Sequence, residues 1–434
     1  MSIFMATDLS PGSSRTPTSS ITVVAAASFV GTAIEWYDFF LYGTSAVLVF
    51  PKLFFPASDP VVGTLLALAT FAAGFLARPL GGVVFGHFGD RLGRKAMLSL
   101  TLWIMGAATF AIGLLPTYAS IGIAAPILLV TLRLLQGFGL GGEWGGAVLL
   151  AAEHAPARRR GFYAALPQVG AAARSLVANG AFFLSGKLAS EWAWRIPFLF
   201  SVVLVGVGTF IRLRVAESPA VVKQHGARMP LVEVLRTHKR SVVLAMGARL
   251  AENVLFYIYT VTALSYVTAR TGLAKDVVLR AVLVAMAIDL VAIPLFGALS
   301  DKLGRRPVYL FGAIFSALFV GPFFVLVDTG QPMLVGLAIV LAVCVGHAAM
   351  YGPQASFFAE LFGANVRYTG ASLGYQLASV LGGGLAPLIA TALFALTNGG
   401  WWAVALYMVG CAVVTTVAVL AAAETRPDSR RQPR

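Results

Sequence analysis

Glu35, Asp38 and Tyr42 lie in the first long apolar stretch of this chain and can do chemistry there. Their spacing is i, i+3, i+7, so a helix puts all three on one face. An unpaired charge at the centre of a bilayer costs about 2.5–3.5 kcal/mol even on insertion-based scales, so each ionisable group in such a stretch needs a partner or a task. Two carboxylates one turn apart in a low dielectric repel, and one of them keeps its proton. A proton-coupling site requires that property. The plainer alternative is a carboxylate that pairs with an arginine on a neighbouring helix and never titrates in use.

Other apolar stretches carry similar groups. Arg133, Gln136 and Glu143 fall within a helical sector of roughly 80°. A buried arginine facing a cavity offers a planar fork to a carboxylate of a substrate or of the protein itself. Arg249, Glu252, Asn253, Phe256 and Thr260 form a polar and aromatic stripe, with Tyr257 beside it; Arg249 and Glu252, three apart, can neutralise each other. Gln168, Ser175 and Asn179 share a face, while Arg174 points away from Gln168 toward a helix seam or, bent back, toward the cavity. Tyr351, Gln354, Tyr375 and Gln376 add hydrogen-bonding and aromatic surface, and Pro353 and Pro387 are expected to break helices beside them. Asp289 and His347 stand alone in their stretches and read as satisfied core groups or as proton relays.

The elements that hold these residues are membrane helices. Hydrophobic residues make up 58% of the chain and charged residues 12%, about half the charged share of a soluble protein. At roughly 20 residues per span, the sequence divides into about twelve spans, six in each half. This is an all-α integral membrane protein, with residues 21–213 as one six-helix bundle and 240–422 as a second, related by pseudo-two-fold symmetry. A Ser, Thr and Pro-rich tail (1–20), a central loop (214–239) and a C-terminal tail (423–434) complete the expected layout. The net charge of +14 is a topology signal rather than a nucleic-acid footprint. Of 32 Lys and Arg residues, six (Lys52, Lys187, Arg195, Arg270, Lys275 and Arg280) fall on one side, four lie inside spans, and the other 22 share the side of the tails and central loop. That side is cytoplasmic by the positive-inside rule, and both termini belong to it. Cys344 and Cys411 have neither metal spacing nor a disulfide pattern and read as packing residues.

A charged string occurs twice, at matching points of the two halves. Gly86 to Lys95 reads G-x-x-x-D-R-x-G-R-K and Gly297 to Arg306 reads G-x-x-x-D-K-x-G-R-R. Each supplies a charge cluster, Asp90, Arg91 and Arg94 in the first half and Asp301, Lys302 and Arg305 in the second. Glu153 and Arg160, and then Glu360 and Arg367, flank the corresponding later loops at equal spacing. These groups form a cytoplasmic gate that latches the outward-open state, or else solvated loops that set topology.

These strings resemble the major facilitator superfamily, whose hallmark is the paired loop motif; Arg133-x-x-Gln136-Gly137 resembles its fourth-helix motif. The match is closer to the metabolite:proton symporter branch through Glu35-Trp36-Tyr37-Asp38-Phe39-Phe40-Leu41-Tyr42-Gly43, Arg78-Pro79-Leu80-Gly81-Gly82 and Gly141-Gly142-Glu143-Trp144-Gly145-Gly146-Ala147. The resemblance implies two bundles rocking around a central site, with a proton carried alongside a small polar metabolite. Substrates in that branch include shikimate, α-ketoglutarate, citrate and proline or betaine. Ala171-Ala172-Ala173-Arg174 departs from the branch's small-residue pattern, and an added positive charge there favours an anionic substrate if it faces inward.

The resulting expectation is an inner-membrane symporter, a monomer, that imports a small organic acid with protons and uses no cofactor or metal. Asp38 and Glu35 carry the proton. Arg133, Gln136, Tyr42, Gln168, Arg174, Arg249, Asn253, Tyr257, Tyr351, Gln354 and Gln376 line the substrate path. A proton-coupled exporter and a non-transporting receptor are the alternatives. The expectation is a transporter and not an enzyme: the chain has no phosphate-binding loop of the G-x-x-x-x-G-K-[ST] type, and its five histidines have no metal spacing.

Overall fold

A chain that crosses hydrocarbon must satisfy every backbone N–H and C=O internally, and helices do so within one segment. The computed structural model describes residues 37–92, 94–141, 155–185, 192–214, 234, 236–362 and 367–426. Within them run twelve helical passes. The first half contributes α1 (Tyr37–Leu48), α2 (Pro60–Leu92), α3 (Arg94–Leu114), α4 (Ala124–Leu140), α5 (Arg160–Ser185) and α6 (Arg195–Arg214). The second contributes α7 (Lys239–Thr271), α8 (Lys275–Leu303), α9 (Arg305–Asp328), α10 (Pro332–Leu361), α11 (Arg367–Ser379, continuing through Ala386–Leu396) and α12 (Trp402–Ala421). Seven of these helices are each long and apolar enough to cross a bilayer. Leu76, Leu80, Leu295, Leu318 and Leu406 are more than 60% exposed on the outer surface, where lipid accepts them.

Local chemistry sets the helix ends. Asp59 caps α2, its Oδ1 accepting the Val61 N–H at 2.9 Å, and Pro60 supplies a first residue that needs no donor. Gly304 separates α8 from α9 at φ +106°, a conformation that side chains rarely tolerate. This is the second of the two glycines in the second repeated string, so the motif contains a tight turn between two long helices.

The halves correspond in their packing. At the end of the first half opposite the charged turns, Phe50, Phe54, Trp194 and Phe198 form one aromatic cluster. Tyr266, Phe324, Phe394 and Trp401 form its counterpart in the second half. Two seams join the halves. The α5–α8 contact is the most extensive in the molecule, and α2 packs along α11.

The expected helix breaks fall elsewhere. Pro353 sits inside the continuous stretch Ala348–Leu361. The irregular backbone consists instead of π turns at Ile258–Thr262 in α7, Ala342–His347 in α10 and Val380–Gly384 in α11. Pro387 follows the last of these, near the start of Ala386–Leu396. A π turn inserts one residue, swinging the following side chains by about 100°. It therefore re-aims side chains without opening a gap.

Candidate functional site

In the first half, α4 presents Arg133 with its whole side chain buried. Its Nη1 donates to Gln136 Oε1 at 2.9 Å, and Gln136 Nε2 donates to Thr109 Oγ1 on α3 at 2.6 Å. The guanidinium lies over the Tyr42 ring of α1 at 4.2 Å and the Phe71 ring of α2 at 4.9 Å, a cation–π arrangement strengthened by desolvation. The Tyr42 hydroxyl is bonded to Thr70 Oγ1 at 2.6 Å. Three helices thus position one fixed positive charge. Glu35, Glu143 and Glu153 lie outside the described residues, as do the side chains of Asp38, Asp90, Arg91, Arg94, Arg174 and Arg367.

The second half builds a larger network around Arg249 on α7. Its Nη1 donates to Glu252 Oε2 at 2.9 Å and to Gln354 Oε1 on α10 at 2.6 Å. Its Nε reaches Ser379 Oγ on α11 at 3.3 Å, and the guanidinium stacks on Tyr375 at 3.4 Å. Gln354 Nε2 donates to Glu252 Oε2 at 3.1 Å and to the Tyr309 hydroxyl on α9 at 2.8 Å. Asp289 and His347 are not isolated, contrary to the sequence expectation. The α10 backbone brings His347 within 3.3 Å of Glu252 and 3.5 Å of Asp289, joining α7, α8 and α10.

Several expected site residues sit in the seams between bundles. Gln168 Nε2 on α5 donates to the Tyr351 carbonyl on α10 at 3.0 Å. Gln376 Nε2 on α11 donates to the Gly141 carbonyl, just past α4, at 3.2 Å. Tyr257 packs edge-on against Phe71 and Phe75 of α2 at 5.8 and 5.7 Å. Asn253 Nδ2 and Gln376 Oε1 are buried with no hydrogen-bond partner among the described residues. That donor and that acceptor suit a polar ligand.

At the end bearing the charged turns, Asp301 accepts the backbone N–H groups of Gly161 at 2.7 Å and Phe162 at 2.9 Å. A carboxylate on α8 therefore caps the first turn of α5, where donors and helix dipole both favour negative charge. Arg305 Nη1 holds the same carboxylate at 2.8 Å, and its Nε lies 3.3 Å from Glu360. Glu360 faces Arg160 of the other half at 3.8 Å. The cluster links the two halves, whereas the sequence pattern suggested a separate cluster in each.

Glu424, just beyond α12, was missed. Its oxygens accept the N–H groups of Arg305 at 2.9 Å and Arg306 at 3.0 Å, capping α9, while Thr425 Oγ1 donates to Glu360 at 2.7 Å. Nothing in the local sequence of the C-terminal tail signals this contact. Glu424→Ala should remove the cap, costing about 1 kcal/mol, and lower the thermal unfolding midpoint by about 1–3 °C. Thermal unfolding in detergent checks this, and an unchanged midpoint would contradict it.

Among the described residues, no group of three or more His, Cys, Asp and Glu side chains is placed to hold a metal. Glu252 and Asp289 face opposite nitrogens of His347 and so do not converge on one point.

Comparison with known proteins identifies the fold. The family model described as Major Facilitator Superfamily matches residues 24–387 and 256–434. The chain is 43% identical to the shikimate transporter of Escherichia coli K12 over 408 residues, covering 91% of this chain and 93% of that protein. It is 44% identical over 438 residues to the inner membrane metabolite transport protein YhjE of the same strain, covering 98% and 99%. The proline/betaine transporter of Salmonella typhimurium is 35% identical, with 84% and 76% covered. Among solved structures, a D-xylose-proton symporter superposes with a TM-score of 0.72 at 18% identity, covering 96% of this chain and all of that one, a likeness of fold. The chain belongs to the Major Facilitator Superfamily, with its two six-helix bundles, and is a membrane transporter rather than an enzyme.

Proposed function

We propose that this protein is a symporter of the inner membrane that imports a small organic acid together with protons. The observation that carries this reading is the buried guanidinium of Arg133 in the first bundle, oriented by Gln136 and lying over the Tyr42 and Phe71 rings. Fixed positive charge at the core of a transport path favours an anionic substrate, and the planar fork suits a carboxylate. The 43% identity with a shikimate transporter supports the same substrate class.

In the proposed cycle, Asp38 or Glu35 takes a proton from the outside and the substrate carboxylate docks at Arg133. Gln136 and Tyr42 hold that arginine in place, and Arg249, Asn253, Tyr257, Gln354 and Gln376 receive the substrate from the second bundle. Gln168, Tyr351 and, where it reaches inward, Arg174 line the α5 side. Neutralising both charges lowers the cost of the occluded state. The cluster of Asp301, Arg305, Arg160 and Glu360 then parts, with Asp90, Arg91, Arg94, Glu153 and Arg367 as its counterparts. The bundles rock, and the site opens to the cytoplasm. Residues 1–20, 214–239 and 423–434 lie on the cytoplasmic side in this arrangement, and the transporter works as a monomer.

Uptake of radiolabelled shikimate, α-ketoglutarate, citrate, proline and betaine by cells expressing the protein tests this reading. Accumulation of one acid that collapses with a protonophore supports it; lowered accumulation relative to control cells would favour export. Asp38→Asn should reduce accumulation to simple equilibration while exchange of preloaded substrate continues. Undiminished accumulation would remove Asp38 as the proton carrier.

A further inference from the structure

His347 closes the π turn of α10 with its ring almost wholly buried. Nε2 lies 3.3 Å from Glu252 Oε1, and Nδ1 lies 3.5 Å from Asp289 Oδ2. Phe256 at 4.5 Å and Tyr351 at 4.9 Å pack against the imidazole and fix its plane. A neutral imidazole has one donor nitrogen and one acceptor nitrogen. With a carboxylate at each nitrogen, one lone pair would face a negative charge unless the group holds an extra proton. Asp289 is fully buried, and neither of its oxygens has a hydrogen bond among the described residues. A bare carboxylate in that position is costly. With one proton added, the charges of Arg249, Glu252, His347 and Asp289 sum to zero; without it, a net negative charge remains buried.

We propose that Asp289, His347 and Glu252 form a proton-binding site in the second bundle, loaded once per cycle and coupled to substrate through Arg249. The coupling part rests on the symport reading above; the proton-binding part stands on geometry. Glu252 is shared, with Oε2 receiving Arg249 at 2.9 Å and Oε1 facing His347. A substrate carboxylate that draws the guanidinium away leaves Glu252 to be balanced by the imidazolium. Anion binding therefore tightens proton binding, which is the sign symport requires. The proton comes from the outer water, resides on His347 as an imidazolium, and leaves to the cytoplasm; only N–H and O–H bonds form and break.

The other titratable groups around the site are accounted for. Cys344 on α10 donates to the Ala285 carbonyl of α8 at 3.2 Å, and Tyr351 stacks on the ring. Tyr309 on α9 sits behind Gln354, Tyr375 on α11 lies under Arg249, and Arg78 on α2 lies over the Phe75 ring of its own helix at 4.0 Å. Only Glu252, His347 and Asp289 form a continuous carboxylate–imidazole–carboxylate chain, which makes the trio the exchanging group.

The test uses full-length protein in proteoliposomes with shikimate under an inward proton gradient. His347→Gln and Asp289→Asn should each reduce accumulation at least tenfold, while shikimate counterflow at equal pH stays within a few-fold of wild type. Retained counterflow shows that the variants are folded. Wild-type accumulation by both variants would overturn the proposal and leave symport intact. If the wild type itself does not accumulate shikimate, histidine-labelled ¹⁵N NMR in nanodiscs decides, with His347→Gln assigning the signal. Both ring nitrogens protonated at neutral pH in the wild type, and one in Asp289→Asn, would sustain the proton site while the coupling fails. A neutral His347 ring in the wild type would overturn the site.

Discussion

Arg133→Lys is expected to weaken binding of a carboxylate substrate by roughly 100-fold or more without unfolding the protein. The substitution keeps the charge and removes the geometry. Arg133 lies over the neighbouring Tyr42 and Phe71 rings and is oriented by Gln136, itself fixed by Thr109. A lysine ammonium ends a shorter stem, cannot lie flat on the rings, and presents no parallel pair of donors. Each charge-assisted hydrogen bond contributes about 1.5–3 kcal/mol. Loss of the fork at about 3 kcal/mol corresponds to a factor above 100 in affinity. Equilibrium binding to purified protein checks the value, with a thermal melt confirming the fold. Unchanged affinity would return Arg133 to a purely structural role.

The second large effect is expected at the cluster of Asp301, Arg305, Glu360 and Arg160. Asp301→Asn should shift the protein toward the inward-open state and slow accumulation at least tenfold. The carboxylate accepts two N–H groups from the start of α5 and one from Arg305. An amide offers one oxygen for three donors, and its own N–H groups would face one of them. It also loses the negative charge that complements the α5 dipole. Together these changes cost about 2–4 kcal/mol on the closed side, enough to move a gate equilibrium by more than tenfold. Spin labels at Arg158 and Lys302, both exposed, report the separation of the two bundles at that end. A longer distance in the variant is the expected result; an identical distribution would mean that the cluster does not hold the gate.

Local patterns were legible in the sequence to the extent that their partners are local. Arg249 and Glu252 are three residues apart on one helix, and their spacing alone announces the contact; the same spacing places Arg133 and Gln136 on one face, where they bond. The repeated string marks Gly304 because the tight turn between long helices demands it, and it marks Asp301 and Arg305 as a charge cluster beside that turn. Asp289 and His347 looked isolated because their partners come from three helices far apart in sequence, and no local spacing records that meeting. The π turn that precedes His347 has no composition signal comparable to a proline. Prolines misled in the other direction: Pro353 is accommodated inside its helix. Sequence spacing pairs Arg160 and Glu360 with groups in their own halves, yet they meet across the seam. A repeat shows where charges lie in each half but not which half supplies the partner.

Substrate-driven proton flux tests the central claim most directly. Purified protein in proteoliposomes loaded with a pH dye would be given each acid of the panel without an imposed gradient. Proton-coupled symport predicts that one acid acidifies the lumen as it enters, and that an imposed inward proton gradient then drives the same acid above equilibration. Entry of that acid with no lumenal acidification and no response to the gradient would contradict the account.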